Sequence, residues 1–158
     1  MPATDLLIPV RRCIKRRGRF RWPANAVLAG PRTQDALPLG QLADDLARLR
    51  VRARIARNAW GPATVRIRRD GFVPNPEGYR LTVSPQGVEI VSSTAAGAYY
   101  GVQTLRELVA GHGRTLPACV IDDAPAFRRR GVYLDCSRGK VPRLETLKTL
   151  VEQLARWK

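Results

Sequence analysis

Apolar residues recur along this chain with two different spacings. Between positions 39 and 49 the leucines lie three or four residues apart, which places their side chains on one stripe of a helix. At 51–56 and 64–68 arginine alternates with apolar residues, a pattern typical of strands with one buried face and one face in water. Turn-forming proline and glycine separate two shorter predicted strands, at 18–22 and 26–29.

The next part of the chain predicts a hairpin and a second helix. Strand-forming residues occupy 78–83 and 88–91, and Pro85 between them fixes the backbone for a tight turn. An apolar stripe predicts a helix over 95–110, with Thr94 able to cap its first turn. Strand pairing at this hairpin is the clearest local prediction.

Two glycines, Gly97 and Gly101, lie four residues apart inside this second helix. Because a helical glycine costs roughly 1 kcal/mol relative to alanine, we expect them to allow close approach of the helix to the sheet, although Gly97 could simply mark the helix start. The order of elements predicts an α+β fold with an open, mostly antiparallel sheet. Both helices would pack on one face, and the arginine-bearing face would meet water.

The pattern changes after the Ala124-Pro125-Ala126 segment. A strand is predicted at 130–135, then a loop, and then a helix that begins near Pro142. A strand followed by a helix has no core of its own and is typical of a parallel α/β structure. We therefore expect two units, 1–126 and 127–158. The apolar stripe of the last helix consists of Leu144, Leu147, Leu150, Val151, Leu154 and Trp157.

The net charge of +15 and the isoelectric point near 11.2 raise nucleic acid as a first candidate partner. The basic residues, however, are scattered from Arg11 to Arg156 without a long basic tail. This distribution favours a solvated sheet face over a phosphate-binding surface, so we expect no specific nucleic-acid partner. Incidental binding to polyanions stays open.

Metal and disulfide chemistry find little support in the sequence. The three cysteines, Cys13, Cys119 and Cys136, are widely spaced with no CxxC pair, and we expect them to be reduced. His112, the only histidine, sits between two glycines, in a pattern that predicts a loop. No apolar run approaches the ~20 residues that span a membrane, and the amino terminus does not resemble a signal peptide. We expect a soluble, cytoplasmic protein with no cofactor, metal or membrane partner.

Two stretches carry a resemblance to a known family. The first, at 78–109, contains a strand pair followed by Ala-Gly-x-Tyr-Tyr-Gly-x-Gln-Thr-Leu. The second, at 116–138, contains Ile-x-Asp-x-Pro-x-Phe-x-x-Arg-Gly and then Leu-Asp-x-Ser-Arg. These stretches resemble the retaining β-N-acetylhexosaminidases of glycoside hydrolase family 20. The first is similar to the hairpin and helix of the non-catalytic α/β domain, and the second to the linker and first strand of the catalytic barrel.

The resemblance implies hydrolysis of terminal N-acetylhexosamine residues with retention, in which the 2-acetamido oxygen of the substrate attacks its own anomeric carbon. The Asp-Glu pair that the family uses for this step has no counterpart here. Asp122-Asp123 lies in the linker motif, and Asp44-Asp45 lies on a predicted solvent face. A (β/α)₈ barrel takes about 250 residues, so 127–158 would hold at most its first βα unit. We expect no catalytic residue and no activity in this chain alone.

The resemblance also implies roles for three residues of the second motif. Arg130 matches the arginine that grips hydroxyls of the terminal sugar, with a strand-end salt bridge as the structural alternative. Asp135 and Arg138 are expected to form a structural or supporting pair. Many family members have His and an aromatic residue after the Ser-Arg pair, where this sequence has Gly139-Lys140. That departure leaves the substrate specificity open.

The leading interpretation is an accessory domain of an exo-acting hexosaminidase. Its expected partners are terminal N-acetylhexosamine glycans, in the complete protein, and the rest of the catalytic barrel in the same chain. The alternative is a standalone module that binds carbohydrate or a polyanion. The choice between glucosamine and galactosamine substrates, and the oligomeric state, stay open.

Overall fold

The fold was analysed in a computed structural model, which describes residues 6, 8–57, 61–71, 73–137 and 139–158. A short 3-10 turn at Thr33–Asp35 precedes the first helix. The helices are α1 (Ala36–Arg48), α2 (Ala95–His112) and α3 (Leu144–Trp157). The strands are β1 (Arg12–Arg21), β2 (Asn25–Ala29), β3 (Arg52–Ala56), β4 (Val65–Arg69), β5 (Tyr79–Ser84), β6 (Gly87–Ser92) and β7 (Thr115–Asp123).

The seven strands lie in one sheet, in the order β1-β7-β5-β6-β4-β2-β3. The pairs β1–β7, β5–β6 and β5–β7 are antiparallel, whereas β2–β3, β2–β4 and β4–β6 are parallel. The sheet is therefore mixed, and the prediction of a mostly antiparallel sheet is wrong. The physical reason lies in α1, which returns the chain to the end where β2 began, so that β3 runs in the same direction as β2.

Helices α1 and α2 pack on the same face of the sheet and contact each other, as predicted. Leu39, Leu42 and Leu46 of α1 are each 0% exposed and join one continuous core with the inward residues of the sheet. The spacing that predicted this helix therefore also identified its buried stripe. Burial of each leucine removes apolar surface from water and stabilises the fold by about 2 kcal/mol.

The two glycines of α2 allow the close approach that was expected. A Cβ at Gly101 would lie 2.6 Å from Cγ2 of Ile90, and a Cβ at Gly97 would overlap the carbonyl oxygen of Gly78. A side chain at either position would therefore push the helix away from the sheet. Thr94 caps the helix as predicted, because its hydroxyl accepts a hydrogen bond from the Gly97 amide at 3.3 Å.

The opposite face of the sheet carries the alternating charges. Arg66 and Arg68 of β4 and Arg80 of β5 lie on this face, and their side chains are exposed or half-buried. Arg80 pairs with Asp122, while Arg68 lies near Asp70 and Glu89. The predicted arginine-bearing wet face is confirmed, although acidic residues balance part of its charge.

Two assignments near the end of the sheet were wrong. The stretch at 116–138 was interpreted as a linker followed by a barrel strand, but its first part belongs to β7 (Thr115–Asp123), which lies inside the sheet between β1 and β5. This segment was interpreted through its resemblance to the family motif, and the alternation of apolar residues that would predict a strand was not used. His112, expected in a loop, is the last residue of α2, because the helix continues through Gly111.

The segment after β7 differs from the rest of the molecule. The strand predicted at 130–135 is absent there, and Val132, Tyr133 and Leu134 are 57%, 89% and 43% exposed. A strand forms only when a neighbour accepts its backbone hydrogen bonds, and none of the described residues pairs with this segment. The predicted helix is present as α3, and it contains no buried residue.

Candidate functional site

Arg130, the predicted sugar-binding residue, lies at a junction between the last segment and the sheet domain. Its guanidinium donates to both carboxylate oxygens of Glu77, at 3.0 and 3.3 Å, and to the Tyr100 hydroxyl at 3.0 Å. It also donates to the carbonyl oxygens of Phe127 and Lys158, each at 2.5 Å. The guanidinium carbon lies 5.5 Å from the centre of the Tyr100 ring, within the range of a cation–π contact.

All three nitrogen atoms of this guanidinium thus have protein acceptors. The hydrogen bonds to Glu77 are the main reason that the pKa of Arg130 is raised above its ordinary value. This geometry matches the structural alternative considered for Arg130, a salt bridge. A sugar hydroxyl at Arg130 would have to compete with the Glu77 carboxylate and the Tyr100 hydroxyl.

A second polar cluster joins the end of α3 to the sheet. The Lys158 ammonium donates to the carboxylate of Asp123 and to the Tyr79 hydroxyl, both at 2.8 Å. The Tyr79 hydroxyl lies 2.5 Å from the hydroxyl of Thr104 and 2.9 Å from the same Asp123 oxygen. Each side chain of the Lys158–Asp123 pair is 8% exposed, so little water screens their attraction.

Burial and charge shift the pKa values in this cluster in opposite directions. Desolvation alone would raise the pKa of Asp123, but the hydrogen bond and charge of Lys158, with further bonds from Tyr79 and the Arg11 amide, leave it below its ordinary value. Desolvation, with the Asp123 charge second, raises the pKa of Tyr79 far above its usual range. At neutral pH the cluster therefore holds an ionised Asp123 and a neutral Tyr79.

Of the two carboxylate pairs singled out in the sequence, Asp45, Asp122 and Asp123 make structural contacts, whereas Asp44 is exposed. Asp122 accepts from Arg80 at 2.6 and 3.2 Å on the open sheet face. Asp45 accepts from Arg106 of α2 at 2.6 Å and from Arg48 at 2.8 Å, with its side chain 15% exposed. Asp45 was expected to face solvent and instead bridges α1 to α2, because α2 packs alongside this edge of α1.

Asp135 is exposed and bonds locally to Ser137. Its carboxylate accepts from the Ser137 amide at 2.7 Å and from the Ser137 hydroxyl at 2.5 Å. These bonds hold the pKa of Asp135 below its ordinary value. The expected partner, Arg138, lies outside the described residues, so the predicted pairing stays a prediction. Gly139, at the departure from the family pattern, adopts φ +80°.

A groove of about 460 Å³ separates α3 from α1 and α2. Its walls include Leu49, Val109 and Trp157, with Arg106 and Glu107 at the polar side. Such a groove could receive an apolar segment. Of its two carboxylates, Asp45 accepts from Arg106 at 2.6 Å, and Glu107 accepts from the Ile8 amide at 3.1 Å.

No group of three or more His, Cys, Asp or Glu side chains in the described part of the chain could hold a metal ion. Across the same ranges, no helix combines the length and the apolar content that crossing a membrane would need. Cys119 is buried and Cys136 is exposed, and neither forms a disulfide.

Residues 7–124 match the family described as glycosyl hydrolase family 20, domain 2. The chain belongs to this family. Among curated relatives, a β-N-acetylhexosaminidase of Cellulomonas fimi is 34% identical over 88% of this chain and 29% of that protein. A β-hexosaminidase of Akkermansia muciniphila is 38% identical over 60% of this chain and 20% of that protein. The chain thus spans between a fifth and a third of the length of these family 20 relatives.

Solved structures of the same family share the fold. The N-acetyl-β-hexosaminidase of Streptomyces plicatus superposes with a TM-score of 0.81 at 27% identity, over 99% of this chain and 33% of that one. The exo-β-N-acetylglucosaminidase of Vibrio harveyi superposes with a TM-score of 0.80 at 22% identity, over 98% of this chain and 24% of that one. The predicted membership of family 20 is confirmed, and the match is to the domain described as domain 2.

The sequence interpretation did not identify the residues that hold Arg130 and Lys158. Glu77 lies in the loop before β5, and its proximity to Arg130 depends on a fold that brings together residues 53 positions apart. Tyr79 and Tyr100 were read only as parts of a strand and a helix. Both tyrosines lie in the first stretch that resembles the family, and charged residues stand at the end of β7 in the second stretch. Their presence in the two stretches was a signal that could have suggested a polar cluster.

Proposed function

We propose that this chain is the accessory α/β domain of an exo-acting β-N-acetylhexosaminidase, and that it does not hydrolyse glycosides by itself. The observation that carries the proposal is the match of residues 7–124 to domain 2 of family 20. The ion pairs of three carboxylates support the second half. Asp45, Asp122 and Asp123 are all engaged by arginine or lysine.

The complete protein would remove terminal N-acetylhexosamine residues by substrate-assisted retention, in which the acetamido group acts as the nucleophile. This proposal follows from the relatives, which carry the names β-hexosaminidase and β-N-acetylhexosaminidase. The partners of this domain would then be the catalytic barrel in the same chain and, through the barrel, terminal N-acetylhexosamine glycans. A transition state with oxocarbenium character needs carboxylates that this part of the chain does not supply.

We further propose that residues 127–158 form the first βα unit of that barrel. The exposed apolar residues of this segment support the idea, since Val132, Leu144 and Val151 are each more than half exposed. In a barrel, a strand with neighbours on both sides and a helix covering the sheet would bury such side chains. Arg130 would then exchange its bonds to Glu77 for hydroxyls of the terminal sugar, which its fork of donors suits.

An activity assay tests the central proposal. The purified 158-residue chain is incubated with an aryl N-acetyl-β-glucosaminide, and release of the aryl alcohol is measured against buffer. We expect no turnover above buffer. Turnover that copurifies with the chain and is lost when Asp122 and Asp123 are replaced by asparagine would contradict the proposal.

The gene provides a second test. Beyond the codon of Lys158 we expect further βα units and an Asp-Glu pair at the end of a later strand. A stop codon in that place would favour the alternative, a standalone binding module. If the longer protein is active, Arg130→Lys should raise KM for the aryl glycoside, because an ammonium cannot span two hydroxyls. An unchanged KM would limit Arg130 to its contact with Glu77.

A further inference from the structure

The amino-terminal strand β1 carries a dense run of basic residues. Residues 6–34 contain no acidic side chain. Six of the ten residues of β1 are basic. We call this set the β1 basic edge, and it consists of Arg12, Lys15, Arg16, Arg17, Arg19 and Arg21.

The fold keeps these six side chains in water and outside ion pairs, although Arg12 stands opposite Asp122 of β7 in the sheet. β1 is an edge strand, paired with β7 on one side only. All six basic residues are exposed, and no ion pair of the described part of the chain includes a side chain from β1. On the inner strands, in contrast, two arginines form ion pairs: Arg80 with Asp122, and Arg69 with Asp35.

A β-bulge interrupts the pairing of β1 with β7 in the middle of these basic residues. Lys15 pairs with Cys119 and Arg19 with Pro117, so that residues 16–18 of β1 stand opposite a single residue of β7. The bulge depends on Gly18, which has φ +100° and leaves no room for a side chain, because a Cβ there would lie 2.8 Å from Cγ of Pro85. Arg16 and Arg17 therefore lie in the exposed bulge, between the paired residues Lys15 and Arg19.

Protection of the edge strand explains part of this arrangement. Charged side chains and bulges on an edge discourage pairing with another strand, but one or two charges achieve this. Six unpaired cations within ten residues exceed that need, and their mutual repulsion destabilises the free protein. A polyanion bound along the edge would remove that repulsion and release its counterions.

The chemistry of the edge favours one class of polyanion. Single-stranded nucleic acids bind sequence-independently through charge together with aromatic rings on which bases stack. The aromatic residues of this region, Phe20 and Trp22, are 3% and 1% exposed and cannot serve. Five of the six basic residues are arginine, whose planar fork bonds carboxylate, phosphate and similar oxyanions such as sulfate with two parallel hydrogen bonds.

We propose that the β1 basic edge binds an acidic polysaccharide that carries sulfate or carboxylate groups. The site lies on an edge strand and does not use Arg130, Glu77 or any other residue of the junction described above. The proposal therefore stands or falls independently of the proposed hexosaminidase function.

Heparin serves as the probe, with binding measured by calorimetry or by elution from a heparin column at several salt concentrations. The test variant replaces Arg16, Arg17 and Arg19 by glutamine. The matched control replaces three exposed arginines of the last segment, Arg128, Arg129 and Arg143, so that both proteins lose the same charge. We expect the test variant to bind heparin about tenfold or more weakly at 0.1 M salt, with a shallower salt dependence, and the control to change by less than about twofold.

Several outcomes would overturn the proposal. Equal losses in the two variants would mean that heparin responds to net charge and not to β1. Single-stranded DNA of equal charge, bound as tightly as heparin and with the same sensitivity to the test variant, would assign the edge to nucleic acid. A third variant, with lysine at positions 16, 17 and 19, keeps the charge and removes the fork. It should fold like the parent and bind with intermediate affinity, and parent-like affinity would refute the role of the guanidinium.

Discussion

Helices α1 and α3 carry the same kind of apolar stripe, but the stripe of α1 is buried and that of α3 is exposed. Leu39, Leu42 and Leu46 of α1 are 0% exposed, whereas Leu144, Val151 and Trp157 of α3 are 60%, 65% and 51% exposed. The difference arises from the partner and not from the helix, since α1 faces a sheet and α3 faces only an edge of α2. An amphipathic pattern therefore specifies which side chains a helix can bury, and the neighbouring layer decides whether it does.

The largest expected effect is a difference in the free energy of unfolding between two leucine substitutions, one in α1 and one in α3. Leu42→Ala in α1 removes a fully buried side chain and should lower the free energy of unfolding by about 2–5 kcal/mol. Leu144→Ala in α3 is the matched control and should change it by less than about 0.5 kcal/mol, because that leucine is largely in water. Urea unfolding, with the slope checked for constancy, measures both. Comparable losses would show that α3 belongs to the same core as α1.

A smaller effect tests how tightly the sheet domain is packed. Gly97→Ala should destabilise the protein by about 2–3 kcal/mol, because the new methyl group meets the Gly78 carbonyl oxygen and neither backbone can move freely. Gly111→Ala in the same helix should stabilise it by up to about 1 kcal/mol, since nothing lies within 4 Å of a Cβ there. Thermal unfolding followed by circular dichroism distinguishes them. A neutral Gly97→Ala would mean that α2 can shift away from the sheet.

The smallest expected effect concerns the contact that joins α3 to the sheet. The pKa of Asp123 is lowered in the folded protein, so its ionised form adds stability above its ordinary pKa of 3.8, and this contribution is lost as the pH falls through the lower, folded-state value. Asp123→Asn should cost about 1–2 kcal/mol at pH 7. The difference between the two proteins should shrink below about pH 4.

Unfolding curves at pH 3 and pH 7 provide the measurement for this prediction. Tyr79→Phe is a useful companion, because it removes the hydroxyl shared by Asp123, Lys158 and Thr104 and leaves the ion pair in place. A difference between the parent and Asp123→Asn that does not change with pH would argue against an ionised Asp123 as the source of the stability.

Much of the sheet domain followed from sequence, for local reasons. The hairpin of β5 and β6, the cap at Thr94 and the stripe of α1 depend on residues close together in the chain. The strand directions did not follow, because they depend on where each helix returns the chain. β7 was missed because its residues were read as a motif of resemblance, although Leu116, Cys119 and Ile121 are buried in it.

The junction was harder still to foresee. The resemblance singled out Arg130, but its contacts with Glu77 and Tyr100 join residues far apart in sequence. The strand predicted at 130–135 shows that a local sequence pattern does not by itself produce a strand. The sequence contains a strand signal, and only a hydrogen-bonding neighbour turns such a signal into a strand.

The pairing of β1 with β7 has a consequence for the order of events during synthesis. The first strand of this sheet to be synthesised finds its partner only in the last strand of the sheet, and the Arg11 amide bonds to Asp123, 112 residues later. Until β7 has been synthesised, β1, the most basic segment of the chain, has no strand to pair with. Closing a loop of this length makes folding slow. The same cations that line β1 keep that waiting strand soluble, because their repulsion opposes pairing between two nascent chains.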